Sequence, residues 1–162
     1  MENQEAKPEQ NQQANQPLFV IEKLYVKDLS IELPNAPRIF LEQGAPQIEL
    51  QIQTHDTALG ENAYDVVLTV TATAKLDDKT IFLVEVGQAG IFRIVNVPEQ
   101  ELEPLLKITC PNILQSYARE VLSSATTRAG FPPFLLQPIN FEALYVQYLQ
   151  EKDSVARSTT LQ

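Results

Sequence analysis

The sequence predicts an α+β domain in which a four-stranded antiparallel sheet is followed by C-terminal helices. Three observations carry that reading. Between Tyr64 and Phe92 two long strand patterns flank a tight polar turn. Two further alternating segments precede this hairpin, and beyond Pro98 the apolar spacing changes from the strand period to the helical one. The length, 162 residues, suits one domain with a real core and no disulfide staple.

Residues 1–17 are polar, rich in Gln and Asn, and are expected to form a disordered leader. A single domain is expected over 18–150. Its first segment, Leu18–Leu33, is strand-like but interrupted; from Asp28 onward Leu29, Ile31 and Leu33 alternate cleanly with Asp28, Ser30 and Glu32. Pro34-Asn35-Ala36-Pro37 ends it, because each proline removes a donor and restricts its predecessor. A loop through Gly44 and Pro46 leads to Gln47–Gln53, where Ile48, Leu50 and Ile52 face one way. In the third strand Tyr64, Val66, Leu68, Val70, Ala72 and Ala74 alternate with Asp65 and a row of threonines, and Leu76-Asp77-Asp78-Lys79 reverses the chain. The return strand puts Phe82, Val84, Val86 and Phe92 on one face and Ile81, Leu83 and Ile91 on the other. A single-layer domain cannot cover both, so another subunit is expected there. That points to an assembling binding protein rather than a self-contained catalyst.

Pro98–Lys107 has room for a short helix, which Pro104 opposes. Pro111 suits the first turn of a helix, and Ile113, Leu114, Tyr117, Ala118, Val121, Leu122 and Ala125 form one stripe at helical spacing. Gly130 stops it. The connector Phe131–Pro138 is stiff and apolar. Asn140 can cap a last helix faced by Phe141, Leu144, Tyr145, Tyr148 and Leu149, and residues 151–162 read as a flexible C-terminal tail.

Twelve Lys plus Arg against 21 Asp plus Glu leave a net charge of −9. Such a chain is a poor match for nucleic acid, which is bound by neutralising phosphates. It suits solubility or a basic partner. The single cysteine excludes an internal disulfide and a cysteine-rich zinc site. With no signal peptide, no transit peptide and no apolar run long enough to cross a bilayer, a cytoplasmic setting without membrane insertion is expected.

Chemistry is hard to find. Gly87-Gln88-Ala89-Gly90 lies in a strand pattern and lacks the spacing of a phosphate loop; glycine there permits a bulge or close approach. Cys110 reads as packing, and His55 as a solvated loop histidine beside Asp56. Asp28 and Glu32 share a strand face about 13 Å apart at ~3.3 Å per residue, too far for a glycosidase pair. Glu85 interrupts the aliphatics Ile81 and Leu83, which makes either a solvated face or a docking patch. No catalytic residue, metal site or cofactor is expected.

Glu85-Val86-Gly87-Gln88-Ala89-Gly90-Ile91-Phe92, Cys110-Pro111-Asn112-Ile113-Leu114 and Tyr117-Ala118-Arg119-Glu120 resemble the SecB family of export chaperones. Tyr25–Ser30, Pro34–Pro37, Tyr64–Leu68 and Pro138–Phe141 support it, in order, from about Phe19 to Leu149. The resemblance implies a cytoplasmic, ATP-independent holdase, not an enzyme: a homotetramer, built as a dimer of dimers, that holds unfolded preproteins and delivers them to the translocase ATPase SecA. It implies SecA contacts at Asp28, Glu32, Leu83 and Glu85. A client groove is implied at Phe19, Ile48, Leu50, Ile52 and Tyr64, and support of the tetramer interface at Val84, Val86 and Gln88. The Phe131–Leu136 connector joins the groove on physical grounds.

Three departures stand out. Gly44 replaces a tryptophan common in the groove region, Gln115-Ser116 replaces Phe-Pro after the Asn-x-Leu motif, and Lys152 and Arg157 offset Glu151 and Asp153 in a tail that tends to be acidic. Other readings are a lipid- or small-molecule-binding α+β domain, an isomerase using Tyr64 and Asp65, and a SecB-like chaperone serving a toxin–antitoxin system.

Overall fold

Rows of β-branched and small residues in register build one antiparallel sheet in the order β1-β4-β3-β2. The computed structural model describes residues 15–159. Its strands are β1 (Leu18–Glu32), β2 (Gln47–Gly60), β3 (Ala63–Leu76) and β4 (Lys79–Val95). A short 3-10 turn, Arg38–Leu41, lies between β1 and β2. Helix α1 (Glu99–Pro104) runs through a π turn, Leu105–Thr109, into α2 (Cys110–Arg128), and α3 (Phe141–Thr159) follows the connector.

Period-two alternation gives the sheet two unlike faces. Ile31, Val84, Ala72 and Leu50 stand in one cross-strand row, and Leu29, Val86, Val70 and Ile52 in the next. Helix α2 lies on this face over β4 and β3, and Leu114, Ala118 and Leu122 are buried against it. The opposite, outer face carries the threonines of β3 and most of the charge. Two-residue turns close the hairpins: Glu61 and Asn62 both take positive φ (53° and 60°), and Asp77 does so at 53°. Gly130 ends α2 at φ 93°.

Several expectations change. The interruption in β1 is a pair of bulges, with the register skipping Glu22 and Lys27. The second bulge resets the alternation, so Asp28, Ser30 and Glu32 join Tyr25 on the outer face. His55 and Asp56 are not in a loop: β2 continues to Gly60. Asp56, on the helix side, meets Lys107 at 2.5 Å, a partner that lets a carboxylate sit in a strand. The last helix runs on past residue 150 to Thr159, and Glu151–Arg157 are exposed throughout. Of the leader 1–17, residues 1–14 lie outside the described residues. The stripe on α2 splits: Leu114, Ala118, Leu122 and Ala125 are buried, while Ile113 and Val121 are half-buried and Tyr117 is exposed.

Candidate functional site

An apolar track runs along β2 on the helix side. Ile48 and Leu50 are each 42 % exposed, and Ile52 is half-buried beside them. At one end Ile48 enters a cleft of about 450 Å³ lined by Phe40, Phe82, Phe131 and Phe134. Phe131 stacks on Phe40 with ring centres 5.1 Å apart and tilts against Phe82 at 5.5 Å. Gly44, at φ 146°, sits in this cleft, and a Cβ there would come within 2.6 Å of Leu76 Cδ1. At the other end Ile52 enters a second cleft, about 280 Å³, under Leu144, Tyr145 and Tyr148 of α3.

The connector is an ordered wall, and α2 holds it at three points. Phe134 N donates to Thr126 Oγ1 (2.9 Å), Arg119 Nε to Leu136 O (2.7 Å) and Gln115 Nε2 to Gln137 O (3.3 Å). The sequence reading named Gln115 and Arg119 only as family-motif positions and did not single out Thr126; polar residues flanking the apolar stripe of α2 were the signal for their role. Asn140 does cap α3, accepting from Ala143 N at 2.9 Å. Tyr145 donates to Glu103, and Lys107 lies over the Tyr148 ring, which holds α3 beside the track.

Phe19 and Tyr64 share this face but stand apart. Tyr64 pairs with Ala58 and Ile48 with Ala74, so about 33 Å separates the two ends at ~3.3 Å per residue. Phe19 packs on Phe92 at 5.7 Å, at the Tyr64 end. The five expected groove residues thus form two patches.

On the outer face Asp28, Glu32, Leu83 and Glu85 come together: Glu32 pairs with Leu83, and Ser30 with Glu85. Glu85 accepts a hydrogen bond from Thr71 Oγ1 at 2.8 Å. Val84, Val86 and Gln88 are buried within the subunit, Val84 and Val86 in the core under α2 and Gln88 donating to Tyr25 O of β1 at 3.2 Å.

Reactive groups are quiet. Burial, with the Asp56 charge adding, pushes the Cys110 thiol up to about 12, so the thiolate nucleophile is suppressed. Tyr64 and Asp65 leave opposite faces of β3, so they cannot act on one substrate as the isomerase reading requires. Asp65 instead takes hydrogen bonds from Tyr25 Oη (2.7 Å) and Lys27 Nζ (3.2 Å), and Tyr25 is raised to about 12, chiefly by that bond. Among the described residues no three potential metal ligands cluster, and no helix is long and apolar enough to cross a membrane.

An open apolar track on one face of the sheet and a cluster of carboxylates on the other are surfaces of the kind by which a protein binds other polypeptides. Comparison with known proteins is specific. The family model described as "Preprotein translocase subunit SecB" matches residues 12–152. The chain is 60 % identical over 151 residues to the protein-export protein SecB of Dechloromonas aromatica, covering 93 % of this chain and 99 % of that one. It is 59 % identical over 133 residues to that of Neisseria gonorrhoeae, covering 82 % and 90 %. A SecB-like chaperone of Mycobacterium tuberculosis, solved with a peptide of an antitoxin, shares the fold at TM-score 0.63 and 17 % identity, over 75 % of this chain and 90 % of that one. The chain belongs to the SecB family and is a chaperone of preprotein export. The toxin–antitoxin and lipid-binding readings are not favoured.

Proposed function

We propose that this chaperone acts in the cytoplasm as an ATP-independent holdase, capturing unfolded preproteins in the β2 track and docking on SecA through Asp28, Glu32, Leu83 and Glu85. The observation that carries it is the open row Ile48–Leu50–Ile52 linking two clefts on one face, with a cluster of carboxylates on the other. Apolar burial is non-directional, so many sequences fit. Covering about 500 Å² is worth roughly 12 kcal/mol gross at ~25 cal/mol per Å², much of which ordering the client removes. Several tracks on one particle restore retention by effective concentration. Folded proteins have already buried the matching side chains, which makes unfolded chains the substrate class.

Assembly follows the same logic. A dimer of dimers needs two distinct self-complementary surfaces. The β1 edge and the outward stripe Ile113, Tyr117, Val121 of α2 supply two. Val84 and Val86 then act on the tetramer indirectly, by setting how α2 sits, and Gln88 by holding β1 through Tyr25 O. Gel filtration of the protein with a reduced, denatured preprotein tests the reading: co-elution with the unfolded chain and none with its folded form is expected. Failure to retain the unfolded chain would overturn it.

A further inference from the structure

At two points β1 carries one residue too many, and both extra residues are charged. Its pairing with β4 passes over Glu22, between Ile21 and Lys23, and over Lys27, between Val26 and Asp28. Each extra residue meets an opposite charge within the sheet: Arg93 of β4 donates to Glu22, and Lys27 Nζ donates to Asp65 Oδ2 of β3 at 3.2 Å. The second bulge is held from both faces. On the outer face Asp65 Oδ1 also accepts from Tyr25 Oη at 2.7 Å, so both oxygens of this carboxylate are taken by β1. These contacts cross over β4 where Gly87 and Ala89 keep its outer surface low, and Ala89, the partner of Tyr25, is fully buried. From the opposite face Gln88 Nε2 donates to Tyr25 O at 3.2 Å.

A slip of one residue would turn the end of the strand over. Were Lys27 to stand opposite Gly87 in place of Asp28, Leu29 would face Glu85 and Ile31 would face Leu83 on the outer side, while Ser30 would turn in beside Val84. Burial alone holds the observed register weakly, because β1 is an edge strand and Leu29 is still 48 % exposed on the helix side.

We infer that Asp65 is a positioning residue: by holding Tyr25 and Lys27 it keeps the extra residue in the bulge, and so decides which side chains of β1 the chaperone presents on each face. Only 7 % exposed, it acts through β1 rather than by meeting a partner itself.

Disulfide trapping in the full chain reads the register. Ser30→Cys with Glu85→Cys reports the bulged pairing, and Leu29→Cys with Glu85→Cys the slipped one. Cys110 is buried and does not compete. Asp65→Leu offers no acceptor and should lose the first cross-link and gain the second, whereas Asp65→Asn retains an acceptor oxygen and should behave like the parent. Deleting Lys27 removes the surplus residue and leaves Val26 and Asp28 consecutive opposite Gln88 and Gly87, so it should restore the first cross-link to Asp65→Leu. A residue that only stabilised the sheet would give neither the exchange nor the rescue. The inference is wrong if Asp65→Leu folds and keeps the first cross-link, if it loses that cross-link without gaining the second, or if the deletion restores nothing. Should Asp65→Leu not fold, Tyr25→Phe with Lys27→Met removes both donors instead, and the same cysteine pairs decide. SecA affinity of the cysteine-free variants rests on the docking reading above; it should fall with the slip and recover with the deletion. A slipped chain that binds SecA like the parent would overturn that docking reading and leave the role of Asp65 standing.

Discussion

Neighbouring residues on β3 serve different surfaces because alternate side chains leave opposite faces of the sheet. Asp65 shows what the outer face demands of a buried carboxylate: two donors, Tyr25 and Lys27, and almost no water. Tyr25 is raised to about 12 by that bond first, then by burial and by the Asp65 charge. A raised tyrosine favours the neutral, folded form. Its contribution to stability is therefore complete below the ordinary value near 10 and disappears as pH climbs through about 12. Replacing Asp65 with Asn should lower the Tyr25 titration toward 10 and flatten the alkaline loss of stability; ultraviolet tyrosinate titration beside denaturation at each pH reads both. An unaltered tyrosinate curve would detach Tyr25 from Asp65. On the other face Leu50, open to solvent between the two clefts, is the position where a charge harms capture most and folding least. Leu50→Asp should weaken unfolded-preprotein binding about tenfold, given that a buried charge costs far more than the lost apolar area, and should leave the assembly intact. Unchanged affinity by calorimetry in a confirmed tetramer would remove Leu50 from the groove.

At the scale of elements, the sheet was legible because its period is two and its burial one-sided. Ile48, Leu50 and Ile52 could be assigned to one face without coordinates. The reach of β2 past Gln53 was not legible, since Thr54, His55 and Asp56 look like loop residues until Lys107 is known to partner Asp56. The α2 stripe was read one row too wide, taking in Ile113, Tyr117 and Val121, because periodicity marks apolar residues and does not say which neighbour covers them. Phe131–Pro138 was readable as stiff and apolar. That it forms an ordered wall depends on hydrogen bonds from residues far away in sequence, which no local pattern records. Thr126 is the clearest case: its hydroxyl donates within α2 to Leu122 O and accepts from Phe134 N. Thr126→Val keeps the shape and removes both bonds, leaving a partly buried amide without its acceptor. The expected cost is about 1–3 kcal/mol in chemical denaturation, with faster hydrogen exchange at Phe134 and undisturbed protection along α2. If exchange at Phe134 stays slow, the wall is held by its ring packing against Phe40 and Phe82 instead.

For the whole particle, burial separates residues that touch a neighbour from residues that position the part that does. Val86 is fully enclosed under α2, whereas Tyr117 is 46 % exposed on the far side of the same helix. A change at each should therefore give a different signature. Tyr117→Asp leaves the subunit core untouched but places a charge on the proposed contact. It should split tetramers into dimers, raising the tetramer dissociation constant about tenfold or more, while helical content and monomer stability hold. Val86→Ala opens a cavity in the core, so it should lower stability first and loosen assembly only as far as α2 shifts. Analytical ultracentrifugation across a dilution series, with melting curves on the same samples, separates the two. The argument needs Tyr117→Asp to move the association equilibrium more than the melting temperature, and Val86→Ala the reverse. A Tyr117→Asp protein still tetrameric at high dilution would take α2 out of the contact. The β1 edge and the outer face would then remain to carry assembly, and SecA could not share the outer face with a neighbouring subunit without competition between docking and tetramer formation.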